Sequence, residues 1–195
     1  MRVIGLTGGM AAGKSTLLKR LRQMGYITIN SDHVFTQELS KESVRIGLSV
    51  HSGALLGGKR GDLWAWLQAD TRHWELWEAV IHPHLIGVIV ERLKSLQRMR
   101  VHSVVLEAPL LFELGLGLLC DAVLTVSLGQ RSRELVKYRR RLSPLQQQTL
   151  RARQLPESLR DSLSDARLSG HITRQASVRQ LCGALHTRAP QLRKK

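Results

Sequence analysis

The stretch Gly8-Gly9-Met10-Ala11-Ala12-Gly13-Lys14-Ser15-Thr16 constrains this chain more than any other. It fits the spacing Gly-x-x-x-x-Gly-Lys-Ser/Thr, and its flanks fit too. Arg2-Val3-Ile4-Gly5-Leu6 reads as a short buried strand before it. Leu17, Leu18, Leu21 and Met24 recur at helical spacing after it. Strand, glycine loop and helix, in that order, make a seat for a phosphate. Glycines let successive backbone N–H groups turn inward around the anion, where a Cβ would block its approach. The helix that follows points its positive end at the same anion. Lys14 adds a mobile charge for the outer phosphates, and the Ser15 hydroxyl is a ligand for Mg²⁺. A glycine-rich turn that merely spells the motif would need neither flank, so the stretch implies binding of a nucleoside triphosphate.

Composition narrows the setting. The chain has 195 residues, enough for one well-buried domain with small inserts. No apolar run approaches the length of a membrane span. The first strand begins at once, so no signal peptide is expected and a cytoplasmic location is. Cys120 and Cys182 lie far apart without metal-ligand spacing, as free thiols of a reducing compartment do. The charge is lopsided. Thirty Lys and Arg face 15 Asp and Glu for a net +15, and 16 basic against 4 acidic residues fall from Gly129 onward. A basic half suits nucleic acid, a polyanionic substrate beside a triphosphate, or simply a solvated surface. Aromatic residues make up 4% and never interleave with arginine as in a strand-stacking platform, which makes nucleic acid the minority reading.

Along the chain, Gly25 closes the first helical pattern as a C′ glycine would. Tyr26-Ile27-Thr28-Ile29 reads as a second strand, ending at Asn30-Ser31-Asp32. Parallel strands gather their carboxyl ends around one crevice, so Asp32 is placed either to meet an acceptor hydroxyl or to cap the helix over residues 33–39. From residue 41 to 100 the signals are mostly helical, broken at Ser52-Gly53 and Gly57-Gly58. Trp64, Trp66, Trp74 and Trp77 mark an apolar face, a packed helix before a substrate surface. Pro83 is expected to kink or start a helix running to Leu96.

Residues 101–106 read as a third strand, with Glu107 and Glu113 after it as carboxylates that could hold Mg²⁺ through water. Ala122-Val123-Leu124-Thr125-Val126 reads as a fourth strand. Arg131, Arg133, Lys137, Arg139, Arg140 and Arg141, then Arg151 and Arg153 beyond a break at Ser143-Pro144, suit a basic lid that closes over a nucleotide. A weak strand near residues 166–168 and an amphipathic helix over 177–185 complete the pattern.

With these residues laid out, the chain resembles the dephospho-CoA kinases over nearly its full length. Gly5-Leu6-Thr7-Gly8-Gly9 through Ser15-Thr16 matches the family's opening, and Asn30-Ser31-Asp32 falls on its Asp-Ala-Asp. Ile81-His82-Pro83 matches a recurring His-Pro before the long helix. Pro109-Leu110-Leu111-Phe112-Glu113 is the most specific match, and Gln154-Leu155-Pro156 falls on a further family segment. The chain departs at Ala11-Ala12 for Gly-Ser, at Asn30 for the first aspartate, and at Glu107 for Asp. Leu150 stands in place of a lid arginine, and Gly170 replaces an asparagine.

The resemblance implies a three-layer α/β/α fold with a five-stranded parallel sheet. It also implies one domain over residues 1–195, a helical CoA-binding insert at about 36–98 and a lid at about 129–155. The implied reaction is transfer of the γ-phosphoryl of ATP, with Mg²⁺, to the ribose 3′-hydroxyl of dephospho-CoA. By resemblance the backbone of Ala11, Ala12, Gly13, Lys14, Ser15 and Thr16 cradles the phosphates, Lys14 neutralises charge and Ser15 ligates Mg²⁺. Asp32 then accepts or orients the hydroxyl proton. A small kinase acting on a nucleoside or nucleotide is the nearest alternative, and a nucleotide-gated nucleic-acid module a more distant one. The missing Asn-Lys-x-Asp segment argues against a GTPase. The sequence leaves the oligomeric state open.

Overall fold

The computed structural model describes residues 1–10, 12–42, 44–45, 60–127, 152–169 and 181–183, without the side chains of 60–64 and 169. The chain divides into two compact units, one of residues 1–30 and 96–195 and one of residues 31–95.

The first unit is built on five parallel strands: β1 (Arg2–Gly8), β2 (Ile27–Asn30), β3 (Ser103–Glu107), β4 (Ala122–Ser127) and β5 (Ala166–Ser169), in the order β2-β3-β1-β4-β5. Each strand reads as a nearly continuous apolar run because a parallel sheet is covered on both faces. In β4 every residue is buried. The expected third strand begins two residues later, at Ser103, and ends on Glu107. Two aspartates fasten the starts of β1 and β4. Asp121, just before β4, accepts from the Val3 N–H at 2.7 Å, and Asp165, just before β5, accepts from the Val123 N–H at the same distance. Each returns its own N–H to the same neighbouring residue's carbonyl, at 2.8 and 2.9 Å.

Helix α1 (Lys14–Gln23) packs Leu17, Leu18 and Leu21 into a core with Ile4, Leu6, Leu124 and Val126. Each such side chain contributes roughly 1.5–3 kcal/mol by leaving water. The chain leaves α1 through Gly25, whose φ of 85° lies in the left-handed region that glycine adopts freely. A 3₁₀ turn, Leu116–Leu119, precedes β4, and α5 (Glu157–Leu163, numbered after the helices below) precedes β5.

The second unit holds α2 (Ser31–Ser40), α3 (Arg60–Ala69) and α4 (Thr71–Arg98), the last ending in the first unit. Two expectations are corrected here. Pro83 neither starts nor ends a helix: α4 begins at Thr71 and passes through it. Proline there forfeits one intrahelical hydrogen bond, and the buried stripe Trp77, Ile81, Leu85, Ile89 and Leu93 on either side offsets the loss. Asp32 does not cap α2 from outside, because the helix already starts at Ser31 and Asp32 stands in its first turn.

Asp70 caps α4 instead. Its Oδ1 accepts from the Arg72 N–H at 2.9 Å, and the Arg72 guanidinium on its other oxygen holds the carboxyl down at about 2. Trp77, Ile81 and Leu67 form a small core, with Phe35, Leu39, Trp66 and Trp74 packed on it. Phe35 meets Trp77 edge-on, and Trp66 stacks on His73 with centroids 4.2 Å apart. Trp66, Trp74 and Trp77 are packing residues. Ser52-Gly53, Gly57-Gly58, Ala11, Leu150, Gly170 and the lid arginines from 131 to 151 lie outside the described residues.

Candidate active site

The phosphate loop sits where β1 ends, beside the carboxyl ends of β3 and β4. Gly8 pairs with Val126 across the β1–β4 ladder, and Leu6 with Glu107 across β1–β3. The sequence must have glycine at position 8: φ is 146°, and a Cβ there would stand 2.2 Å from the Val126 carbonyl oxygen. Gly13, at φ 90°, turns the chain into α1, and its carbonyl accepts from the Thr16 and Leu17 N–H groups. Ala12 is buried, Ser15 and Thr16 are exposed in the first turn, and no acidic residue occupies that turn to compete for an anion.

Lys14 is buried and folded back over its own loop. Its Nζ donates to the Gly8 carbonyl at 2.8 Å and the Gly9 carbonyl at 3.1 Å, with a Glu107 carboxylate oxygen 3.9 Å away. Glu107, 2% exposed at the end of β3, also accepts a hydrogen bond from the Asn30 side-chain amide at the end of β2. Residues 30 and 107 are also direct partners in the ladder. Two separate departures from the family pattern, Asn30 and Glu107, are therefore one contact. An aspartate at 30 would set a carboxylate against the buried Glu107, whereas the amide donates to it.

Beyond β3, the Pro109–Glu113 segment ties down the last residues of the expected lid. Gln154 Nε2 donates to the Pro109 carbonyl at 2.9 Å, and the Leu155 N–H donates to Glu113 Oε1 at 2.6 Å. Glu113 thus anchors Leu155, a role its sequence position did not suggest. Cys120 is buried, and burial followed by the Asp121 charge pushes its thiol to about 12, which makes it inert at neutral pH.

In the second unit Asp32 is exposed, two residues beyond the end of β2, and its carbonyl accepts from the Thr36 hydroxyl. The same unit carries an open groove of about 560 Å³ lined by Glu38, Lys41, Pro83, His84, Gly87 and Arg92. Glu38 is buried at its base. Burial raises its pKa, but the Lys41 ammonium at 2.9 Å and His84 at 3.4 Å outweigh that and hold the carboxyl below its usual range. The structure brings Ala12, Gly13, Lys14, Ser15 and Thr16 together in one unit, and Asp32 belongs to the other.

The dephospho-CoA kinase family model matches residues 2–173. The chain belongs to the dephospho-CoA kinase family. It is an ATP-dependent kinase of dephospho-CoA, acting in coenzyme A synthesis. The kinase is 31% identical to the dephospho-CoA kinase of Gluconobacter oxydans, over 95% of this chain and 97% of that one. It is 35% identical to that of Moorella thermoacetica, over 65% of this chain and 63% of the other. Among solved structures it resembles TT1252 from Thermus thermophilus at a TM-score of 0.73, with 27% identity over 94% of this chain and 96% of that one. The dephospho-CoA kinase from Campylobacter jejuni shares the fold at a TM-score of 0.62, with 20% identity over 95% and 96% of the two chains. Among the described residues no helix is long and apolar enough to cross a membrane.

Proposed function

We propose that this kinase moves the γ-phosphoryl group of ATP to the ribose 3′-hydroxyl of dephospho-CoA. The observation that carries the reading is the phosphate loop, with Gly8 forced by the Val126 carbonyl and Lys14 held over Gly8 and Gly9. Residues 11–16 cradle the β- and γ-phosphates through their N–H groups. Lys14 leaves the loop carbonyls for phosphate oxygens, exchanging neutral acceptors for anionic ones, which bind it about twice as strongly. Ser15, an exposed hydroxyl, and Glu107, a carboxylate, are hard oxygen donors that suit Mg²⁺. Ser15 would hold the ion, and Glu107 would hold it through water. When bound, the ion neutralises charge on the phosphates.

Asp32 takes the proton of the 3′-hydroxyl as that oxygen bonds to the γ-phosphorus and the bond to the bridging oxygen breaks, leaving ADP. The helical unit of residues 31–95 is the acceptor insert, and its groove, with Lys41 and Arg92 on its walls, offers cations to the acceptor's pyrophosphate. By their sequence the arginines between 131 and 153 are assigned to the lid, those up to 151 lying outside the described residues. The protein works in the cytoplasm, where its acceptor and ATP both occur.

A coupled ADP-release assay with ATP, Mg²⁺ and dephospho-CoA tests this, run beside AMP, adenosine and phosphopantetheine. Turnover confined to dephospho-CoA is the expected result. Equal or greater turnover on adenosine or AMP would reassign the acceptor site to a nucleoside or nucleotide.

A further inference from the structure

Arg160 lies in α5, some 150 residues along the chain from the phosphate loop, and it is 5% exposed. Its Nε and Nη1 are closed off from solvent and donate to nothing, and no carboxylate among the described residues pairs with it. A guanidinium keeps its charge at any pH a protein tolerates, so burial without a counter-ion is costly. Its Nη2 faces the loop: a Cβ placed on Gly9 would stand 3.4 Å from it. Gly9 is also the residue whose carbonyl holds Lys14.

The arginine is held there on purpose-built tethers. Its carbonyl accepts from Ser164 Oγ at 2.7 Å and from Thr125 Oγ1 at 3.4 Å, and its N–H donates to the Pro156 carbonyl at 3.0 Å. Thr125 precedes Val126, the β4 residue that closes on Gly8. The strand that shapes the loop therefore also fixes Arg160 beside it.

We propose that Arg160 is a second cationic contact for the nucleotide polyphosphate, a buried charge left unpaired until that anion arrives in the loop. The proposal rests on nucleotide binding by the loop and adds a residue to it. A bound polyphosphate places several anionic oxygens within the loop that Nη2 abuts, and the guanidinium gains the partner that the protein withholds. Lys14 already donates to the Gly8 and Gly9 carbonyls, whereas Nε and Nη1 of Arg160 have no acceptor. The two cations thus divide the work: one follows the transferring group, the other holds the nucleotide.

Arg160→Met, which keeps the length and removes the charge, separates this role from a structural one. Thermal unfolding is measured without ligand, with ATP and with inorganic tripolyphosphate, alongside affinities for both. The expected result is an unliganded Tm equal to or above wild type, because an unpaired buried charge is gone. The Tm rise on ligand binding should shrink, and both affinities should fall about tenfold or more. Arg160→Lys should recover part of the affinity. An unfolded or less stable Arg160→Met protein with an undiminished ATP response would overturn the proposal in favour of a packing role. Loss of ATP affinity with tripolyphosphate binding unchanged would also overturn it, by moving the contact to the base. A wild type with no response to either ligand would instead sink nucleotide binding by the loop itself, and Arg160 with it.

Discussion

The sheet unit and the helical unit bury different things. Around the phosphate loop the interior is polar as well as apolar: Thr7, Lys14, Glu107, Thr125 and Arg160 are all buried there, each fixed by strand register or by a tether. The helical unit buries aromatic rings and, apart from Ser31 at its start, only Glu38 among its polar side chains with described burial. The first arrangement is what an anion seat needs, since donors already oriented cost nothing to reorganise when charge moves. The second suits an element that needs only a stable floor for a groove. The proposed nucleotide seat is thus set by electrostatics and the proposed acceptor insert by packing, and the two should fail differently.

The largest test of that difference removes one charged group from each end. Lys14→Ala should lower kcat/KM by about 10³-fold or more and weaken ATP binding with it, because the group that offsets phosphate charge is gone. Asp32→Asn should lower kcat by about 10²–10⁴-fold while the Kd for ATP stays near wild type. Steady-state kinetics with a separate measure of ATP binding distinguish them. Unchanged turnover in Asp32→Asn removes that residue from the mechanism.

A second pair breaks the packing of each unit. Gly8→Ala drives a methyl group into the Val126 carbonyl and should cost about 3 kcal/mol or more, abolishing ATP binding. Trp77→Ala empties the centre of the aromatic cluster and should cost about 3–5 kcal/mol. Its KM for dephospho-CoA should rise, with ATP affinity in the surviving folded protein close to wild type. Equal losses of ATP affinity in both variants would mean that the helical unit is not energetically separate.

Sequence alone carried the strand, loop and first helix because everything that dictates them is local: apolar spacing, glycine and the lysine after it. β4 was legible for the same reason. That the helix begins at Thr71 and not at Pro83 was hidden because a proline's local cost is fixed while the gain from the buried stripe through Ile81 and Leu85 is tertiary. The first turn of α2 was misplaced by two residues because Asp32 and Ser31 suit a cap and a first turn equally well. The contacts that complete the site were out of reach. Asn30 meets Glu107 across 77 positions, and Arg160 reaches Gly9 from a helix whose sequence marks it as one more arginine in a basic half. Neither has a spacing to read.

The smallest effect tests Glu38, the one buried carboxylate among the described residues of the helical unit. Lys41 and His84 hold the Glu38 pKa below its ordinary 4.5, so the folded state binds its proton less tightly than the unfolded chain does. That stabilisation is fully present above about pH 4.5 and is lost as the pH falls through the lower folded value. Glu38→Gln removes the charge at every pH. Near pH 7 the variant should be less stable by about 1 kcal/mol, and its stability should not show the Glu38 share of the acid loss. All four tryptophans, Trp64, Trp66, Trp74 and Trp77, lie within residues 31–95, so selectively excited tryptophan fluorescence follows this unit. In a denaturant series at falling pH, wild type and variant should converge as the pH falls through the lowered Glu38 value. Parallel curves would mean that Lys41 and His84 satisfy Glu38 no better than water does, leaving the aromatic cluster as the support of the groove.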